Sequence, residues 1–196
     1  MNRTKISNSH NRWLFLILGG LTNAIVVALQ TMSLSVLLPE ITVDFNLSVT
    51  QAGVLWGIAS FPMIFSSFLA GTLIDKFGGK RILITSCFLL GLVGAMRGLS
   101  SNYPILLITI LLFGFFAPFI NIGNIKIAGN WFKNQELGIA NGVLALGMAL
   151  GFFIGSMISA SYISPWIGGW RNTFFLYGFI SIVFMIPWFF APGKSD

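Results

Sequence analysis

Histidine and cysteine are almost missing from this 196-residue chain, which has one of each, His10 and Cys87. A single cysteine leaves no intrachain disulfide and no thiolate metal cluster. A single histidine, set in a polar amino-terminal stretch, removes Ser-His-Asp, Cys-His and zinc–histidine chemistry. Neither an HExxH nor a GxSxG pattern occurs, so no enzyme activity, metal or cofactor is expected. Charge is scarce as well. Only 8% of residues are Asp, Glu, Lys or Arg, where a soluble domain carries about a quarter. The acids Glu40, Asp44, Asp75, Glu136 and Asp196 lie toward the ends of apolar runs rather than in their middles. A proton-carrying acid in mid-membrane would have to come from elsewhere.

What the chain has is apolar length. Hydrophobic residues make up 56% of it in continuous runs, whereas the strands of a membrane barrel alternate with a period of two. A helix needs roughly 20 apolar residues to cross the hydrocarbon core. Six runs meet this requirement, at about 13–38, 51–74, 82–99, 104–130, 138–162 and 172–190. The expected fold is an all-α integral membrane domain over 1–196, a bundle of six transmembrane helices. The first run is too long for a secretory signal and lacks a small-x-small cleavage site. Pro39 is expected to end it. Ser48 and Gln51 have capping-box spacing for the second helix, Pro104 suits the first position of the fourth, and Asn134 is a candidate cap for the fifth.

A net charge of +6 would suggest nucleic acid in a soluble protein, but sidedness accounts for it here. With the amino terminus inside, Arg3, Lys5, Arg12, Lys76, Lys80, Arg81, Lys126, Lys133 and Lys194 face the cytoplasm, and Arg97 and Arg171 face outward. The positive-inside rule then sets both termini in the cytoplasm of a plasma (inner) membrane protein. The expected partners are the bilayer and a small molecule, with no nucleic acid.

One stretch stands apart: Gly71, Asp75, Lys76, Gly78, Gly79, Lys80 and Arg81, a charged, glycine-rich turn between the second and third runs. Its spacing, sidedness and place in the helix count resemble the signature loop of the major facilitator superfamily. Trp131 and Phe132 with Glu136 and Gly138, and Gly169, Trp170 and Arg171, resemble further elements of that superfamily. The resemblance covers the whole chain, as the amino-terminal half of a twelve-helix transporter. It implies two inverted three-helix repeats, helices one and four along the substrate path, and three and six outside. It further implies that Asp75 pairs with neighbouring basic residues and faces a helix amino terminus of the other half, holding one conformation closed. An anion there gains about 0.3–1 kcal/mol from the helix dipole. The bland reading is that the turn only anchors topology by its positive charge, but charge alone does not require Asp75 and three glycines.

The chain also departs from the family. Where many proton-coupled members carry an arginine in helix four, alignment on Gly114 places Ile110. Where drug/proton antiporters carry a Gly-Pro pair in helix five, Gly147, Gly151 and Gly155 keep the glycine spacing but Phe152 stands in place of the proline. Both departures argue against a drug/proton antiporter, and the three glycines serve close helix packing.

Polar residues inside spans are the default functional candidates. Asn23, Gln30 and Ser33 share a face of helix one, and Asn121 and Asn124 share a face of helix four. They form either a hydrogen-bonding wall along a substrate path or ordinary interhelical bonds. For Asn141 the interhelical reading is preferred. Lys126 falls on the opposite side of helix four from Asn124. It either snorkels to the headgroups or faces the path, where it would favour an anionic substrate. The expected function is transport of a small solute, an organic anion among the candidates, by alternating access. The alternative is a truncated or non-transporting membrane subunit, a receptor or scaffold that keeps the half-fold. Six helices are half of the usual rocking pair, so a second six-helix half, as a separate chain or a homodimer, is the expected partner.

Overall fold

A computed structural model describes residues 3–191, with side chains from Arg12 onward. The side chains of Arg3, Lys5 and His10, and all of Lys194 and Asp196, lie outside the described residues. Six helices are long and apolar enough to cross a membrane: α1 (Arg12–Phe45), α2 (Val49–Phe77), α3 (Gly79–Gly98), α4 (Tyr103–Trp131), α5 (Gln135–Ile167) and α6 (Trp170–Phe190). No strand is present among the described residues.

The helix ends follow from local chemistry. Pro39 does not end α1, which runs on to Phe45. A proline removes one backbone donor, and within a membrane bundle neighbouring groups compensate for the loss. The helix stops instead at Asn46, in the left-handed region at φ 51°, a conformation asparagine tolerates as a helix terminator. Ser48 and Gln51 form the reciprocal capping box at the start of α2. Pro104 sits one residue inside α4, behind a cap in which Asn102 accepts from the Ile105 amide at 3.0 Å. Asn134 precedes α5 with φ 53° and its side chain caps nothing.

The charged turn is shorter than its sequence suggests. Only Gly78, at φ 86°, separates α2 from α3. Asp75 and Lys76 therefore belong to the last turn of α2, and Lys80 and Arg81 to the first turn of α3. A cation at a helix amino terminus is unfavourable. Lys80 avoids this by reaching the carboxyl end of α6, where its Nζ donates to the Phe189 and Ala191 carbonyls at 3.0 and 2.6 Å.

The packing order identifies two interlocked triplets. α1 lies along α5, α4 lies along α2, and α3 lies along α6. Each triplet's first helix thus packs on the other's second helix, and the third helices pack together, as an inverted three-plus-three repeat requires. Glycines set the closest approaches in both equivalent pairs. A Cβ at Gly147 of α5 would lie 2.2 Å from the Gly20 carbonyl of α1, and one at Gly114 of α4 would lie 2.2 Å from the Ala59 carbonyl of α2. A Cβ added at Gly151 would lie 2.3 Å from the Ala24 carbonyl, and one at Gly155 3.1 Å from that of Leu29. Opposite these glycines, α1 widens to a π-helical turn over Asn23–Ala28. α1 and α4 are the helices most enclosed by the bundle, and α2 and α5 the least.

Candidate functional site

The interior polar groups fall into two layers. Deep in the bundle, Asn124 of α4 donates to the Asn23 Oδ1 at 2.7 Å and to the Gly19 carbonyl at 3.1 Å. Asn23 in turn donates to the Leu144 carbonyl of α5 at 3.3 Å. Two turns further along α1, Gln30 donates to Ser181 Oγ on α6 at 2.7 Å, filling the space left by Gly94. Ser33 lies 2.8 Å from Ser159, which lies 3.0 Å from the Tyr177 hydroxyl. Gln30, Ser33 and Asn124 are buried and tie α1 to α4, α5 and α6.

A cleft of about 380 Å³ opens beside this layer between α1, α4 and α5. Asn23, Asn121 and Asn141 line it, with Leu144, Met148 and Phe152 on the apolar side. The Asn121 Oδ1 is buried without a partner. Asn141, assigned to helix contacts from sequence, faces this cleft. Gln30, Ser33, Asn124 and Lys126 do not line it.

The second site lies at the cytoplasmic ends by the sequence-based orientation. Lys126 of α4 turns toward α2, where its Nζ is 2.6 Å from the Asp75 carboxylate and donates to the Gly71 carbonyl at 2.7 Å. Lys126 therefore does not line the cleft, and the ion pair of Asp75 is with α4 rather than with Lys76, Lys80 or Arg81. Gly79 permits this approach, since a Cβ there would meet Ile127 at 2.5 Å. Asp75, Gly78, Gly79, Lys126 and Asn130 surround a polar recess of about 390 Å³.

Every described carboxylate is tied across helices. Glu136 pairs with Arg12 at 2.8 Å, Glu40 accepts from Ser164 at 2.7 Å, and Asp44 holds Arg171 and the Trp170 indole. Arg97, in the last turn of α3, turns into the bundle, which sequence reasoning did not anticipate. Counted as an outward-facing flank, it is fully buried, with its guanidinium 4.1 Å from the Phe113 ring centre and 5.5 Å from that of Phe174. No carboxylate pairs with it among the described residues. Its position two residues from an apolar run's end hid it, and Gly94 and Gly98 beside it were the available signal.

The family model of the Major Facilitator Superfamily matches residues 9–196. The chain belongs to this superfamily. Among curated proteins it is similar to the hexuronate transporter of Bacillus subtilis, with 28% identity over 90% of this chain and 40% of that protein. It is 26% identical to the probable L-galactonate transporter of Escherichia coli over 85% of this chain and 36% of that one. It is 29% identical to a probable nitrate/nitrite antiporter of Thermus thermophilus over 78% of this chain and 36% of that one. The chain thus spans under half the length of these relatives. This superfamily member is a multi-pass membrane protein with the helix order of a facilitator half.

Proposed function

We propose that this chain forms one half of a secondary transporter that moves a small organic anion by alternating access. The observation that carries the reading is the cleft of about 380 Å³ between α1, α4 and α5, mostly apolar with Asn23, Asn121 and Asn141 at its edges, within a helix arrangement shared with a transporter superfamily. The matched relatives named for hexuronate, galactonate and nitrate support an anionic solute. In this reading the protein sits in the plasma membrane with both termini cytoplasmic, and a second six-helix half completes the path. The ends of α2 and α4, joined through Asp75 and Lys126, form part of the cytoplasmic gate. The described carboxylates are all engaged near helix ends, so a coupling proton would be carried by a group outside this half.

Counterflow of labelled D-glucuronate in proteoliposomes tests the reading. A transporter accumulates label against the preloaded solute, whereas a receptor or scaffold accumulates none.

A further inference from the structure

We propose that the groove between α1 and the last turn of α6 holds an acyl chain of an anionic phospholipid from the cytoplasmic leaflet, with its phosphate against Lys80. A break in α6 creates the groove. The helix loosens at Phe184 and Met185, and its last turn, Ile186–Phe190, carries Pro187 at its start. Trp188 of that turn points into the bundle. Its indole donates to the Thr22 hydroxyl at 2.9 Å and packs edge-on to Phe15, with ring centres 4.9 Å apart. Phe190 is instead 83% exposed. A channel of about 300 Å³ is left between this turn and α1, where Leu14, Ile17, Leu18 and Leu21 form the facing wall.

The groove calls for an apolar, elongated occupant at membrane depth. No charged side chain lines it, and the residues after Ala191, Pro-Gly-Lys-Ser-Asp, offer no large apolar group to fill it. It starts at Leu14, beside Trp13, a residue type that favours headgroup depth. From there it follows α1 to Leu21, about 10 Å along the helix. Exposed Phe179, Val183, Ile186 and Phe190 recur at helical spacing, so the groove continues an apolar stripe on α6.

The headgroup end is basic. The carbonyl of Ala191, which lines the groove, accepts from the Lys80 Nζ at 2.6 Å, and that of Phe189 does so at 3.0 Å. An ammonium has three donors, which leaves one for a phosphate oxygen. Exposed Lys76 and Arg81 lie on the same two helix ends, while Asp75 is paired with Lys126 on α4. An anionic headgroup gains from this excess of positive charge and a zwitterionic one gains little. This site is separate from the cleft and does not depend on the transport reading.

Photocrosslinking of the full chain in nanodiscs tests this, with phosphatidylglycerol and phosphatidylcholine probes that carry the same diazirine acyl chain. The phosphatidylglycerol probe should label the peptides around Leu14–Leu21 and Pro187–Ala191 severalfold more than the phosphatidylcholine probe. Both should label the face around Phe179 equally. Lys80→Gln should remove the preference and Lys80→Arg should keep it. Leu18→Trp, which fills the groove and leaves α3 untouched, should abolish labelling there but not at Phe179. Equal labelling of the groove by both probes would show ordinary annular lipid and overturn the inference. So would a preference that survives Lys80→Gln, or groove labelling that survives Leu18→Trp. If Lys80→Gln loses its melting transition, the wild-type preference and Leu18→Trp decide the question.

Discussion

The Asp75 carboxylate at the end of α2 lies 2.6 Å from the Lys126 ammonium on α4, across 51 residues of chain. The same ammonium holds the Gly71 carbonyl one turn earlier in α2. One cation therefore clamps the last two turns of α2 to the fourth helix.

Because the Asp75 side chain is 73% exposed, the pair is worth at most about 1 kcal/mol of stability. A bias of that size matters only to an equilibrium between conformations separated by a few kcal/mol. Asp75→Asn and Lys126→Gln are each expected to impair uptake severalfold while membrane insertion and the melting midpoint stay near wild type. The exchanged pair, Asp75→Lys with Lys126→Asp, should recover part of the lost uptake. Normal uptake in Asp75→Asn would remove the gating role.

Arg97 separates packing from charge. Its guanidinium rests on Phe113 and Phe174, with a long contact of 3.5 Å to the Gln30 carbonyl. Replacing a poorly compensated buried charge by an apolar chain of similar volume is often neutral or stabilising. Arg97→Met should therefore keep or raise the unfolding midpoint in detergent. Arg97→Ala should lose about 2 kcal/mol or more through the cavity it leaves. An equal loss in both variants would show that the charge itself stabilises the bundle.

The glycine contacts between α1 and α5 make a sharper structural test. Gly147→Ala would drive a methyl to 2.2 Å from the Gly20 carbonyl, so the two helices must separate. Gly142, on the same helix, has nothing within 4 Å of its added Cβ. Gly142→Ala should leave the melting midpoint unchanged or raise it, consistent with about 0.5–1 kcal/mol for relieving a helical glycine. Gly147→Ala should lower it clearly.

Topology is open to a direct check because the single native thiol, Cys87, is buried and gives a silent background. Ser101→Cys, in the exposed α3–α4 turn, should react with an impermeant maleimide on intact cells. Asn134→Cys, in the exposed α4–α5 turn, should react only after permeabilisation. The reverse pattern would invert the proposed orientation.

The spans were legible because length and apolar continuity are all that a bilayer demands of a helix. The signature loop was legible because its glycines have separate local tasks: Gly78 takes a positive φ and Gly79 admits Ile127. Pro39 misled because its missing donor is tolerated inside a bundle. The Lys126 partner was not legible. Helical spacing gives the angle of Lys126 relative to Asn124 but not which helix stands opposite. The same gap affected the asparagines, three residues apart on α4, of which Asn124 turns inward to Asn23 while Asn121 edges the cleft. The burial of Arg97 was not legible, because the sidedness of a flanking cation says nothing of whether it turns into the bundle.

The most direct measurement is the water accessibility of Asn121→Cys toward a hydrophilic methanethiosulfonate reagent, compared with Phe179→Cys on the exposed face of α6. If the cleft lines a solute path, Asn121→Cys is modified, D-glucuronate slows the modification, and Phe179→Cys in the lipid stays unreactive. If Asn121→Cys is as inert as Phe179→Cys, the cleft does not meet water and the proposed path is wrong.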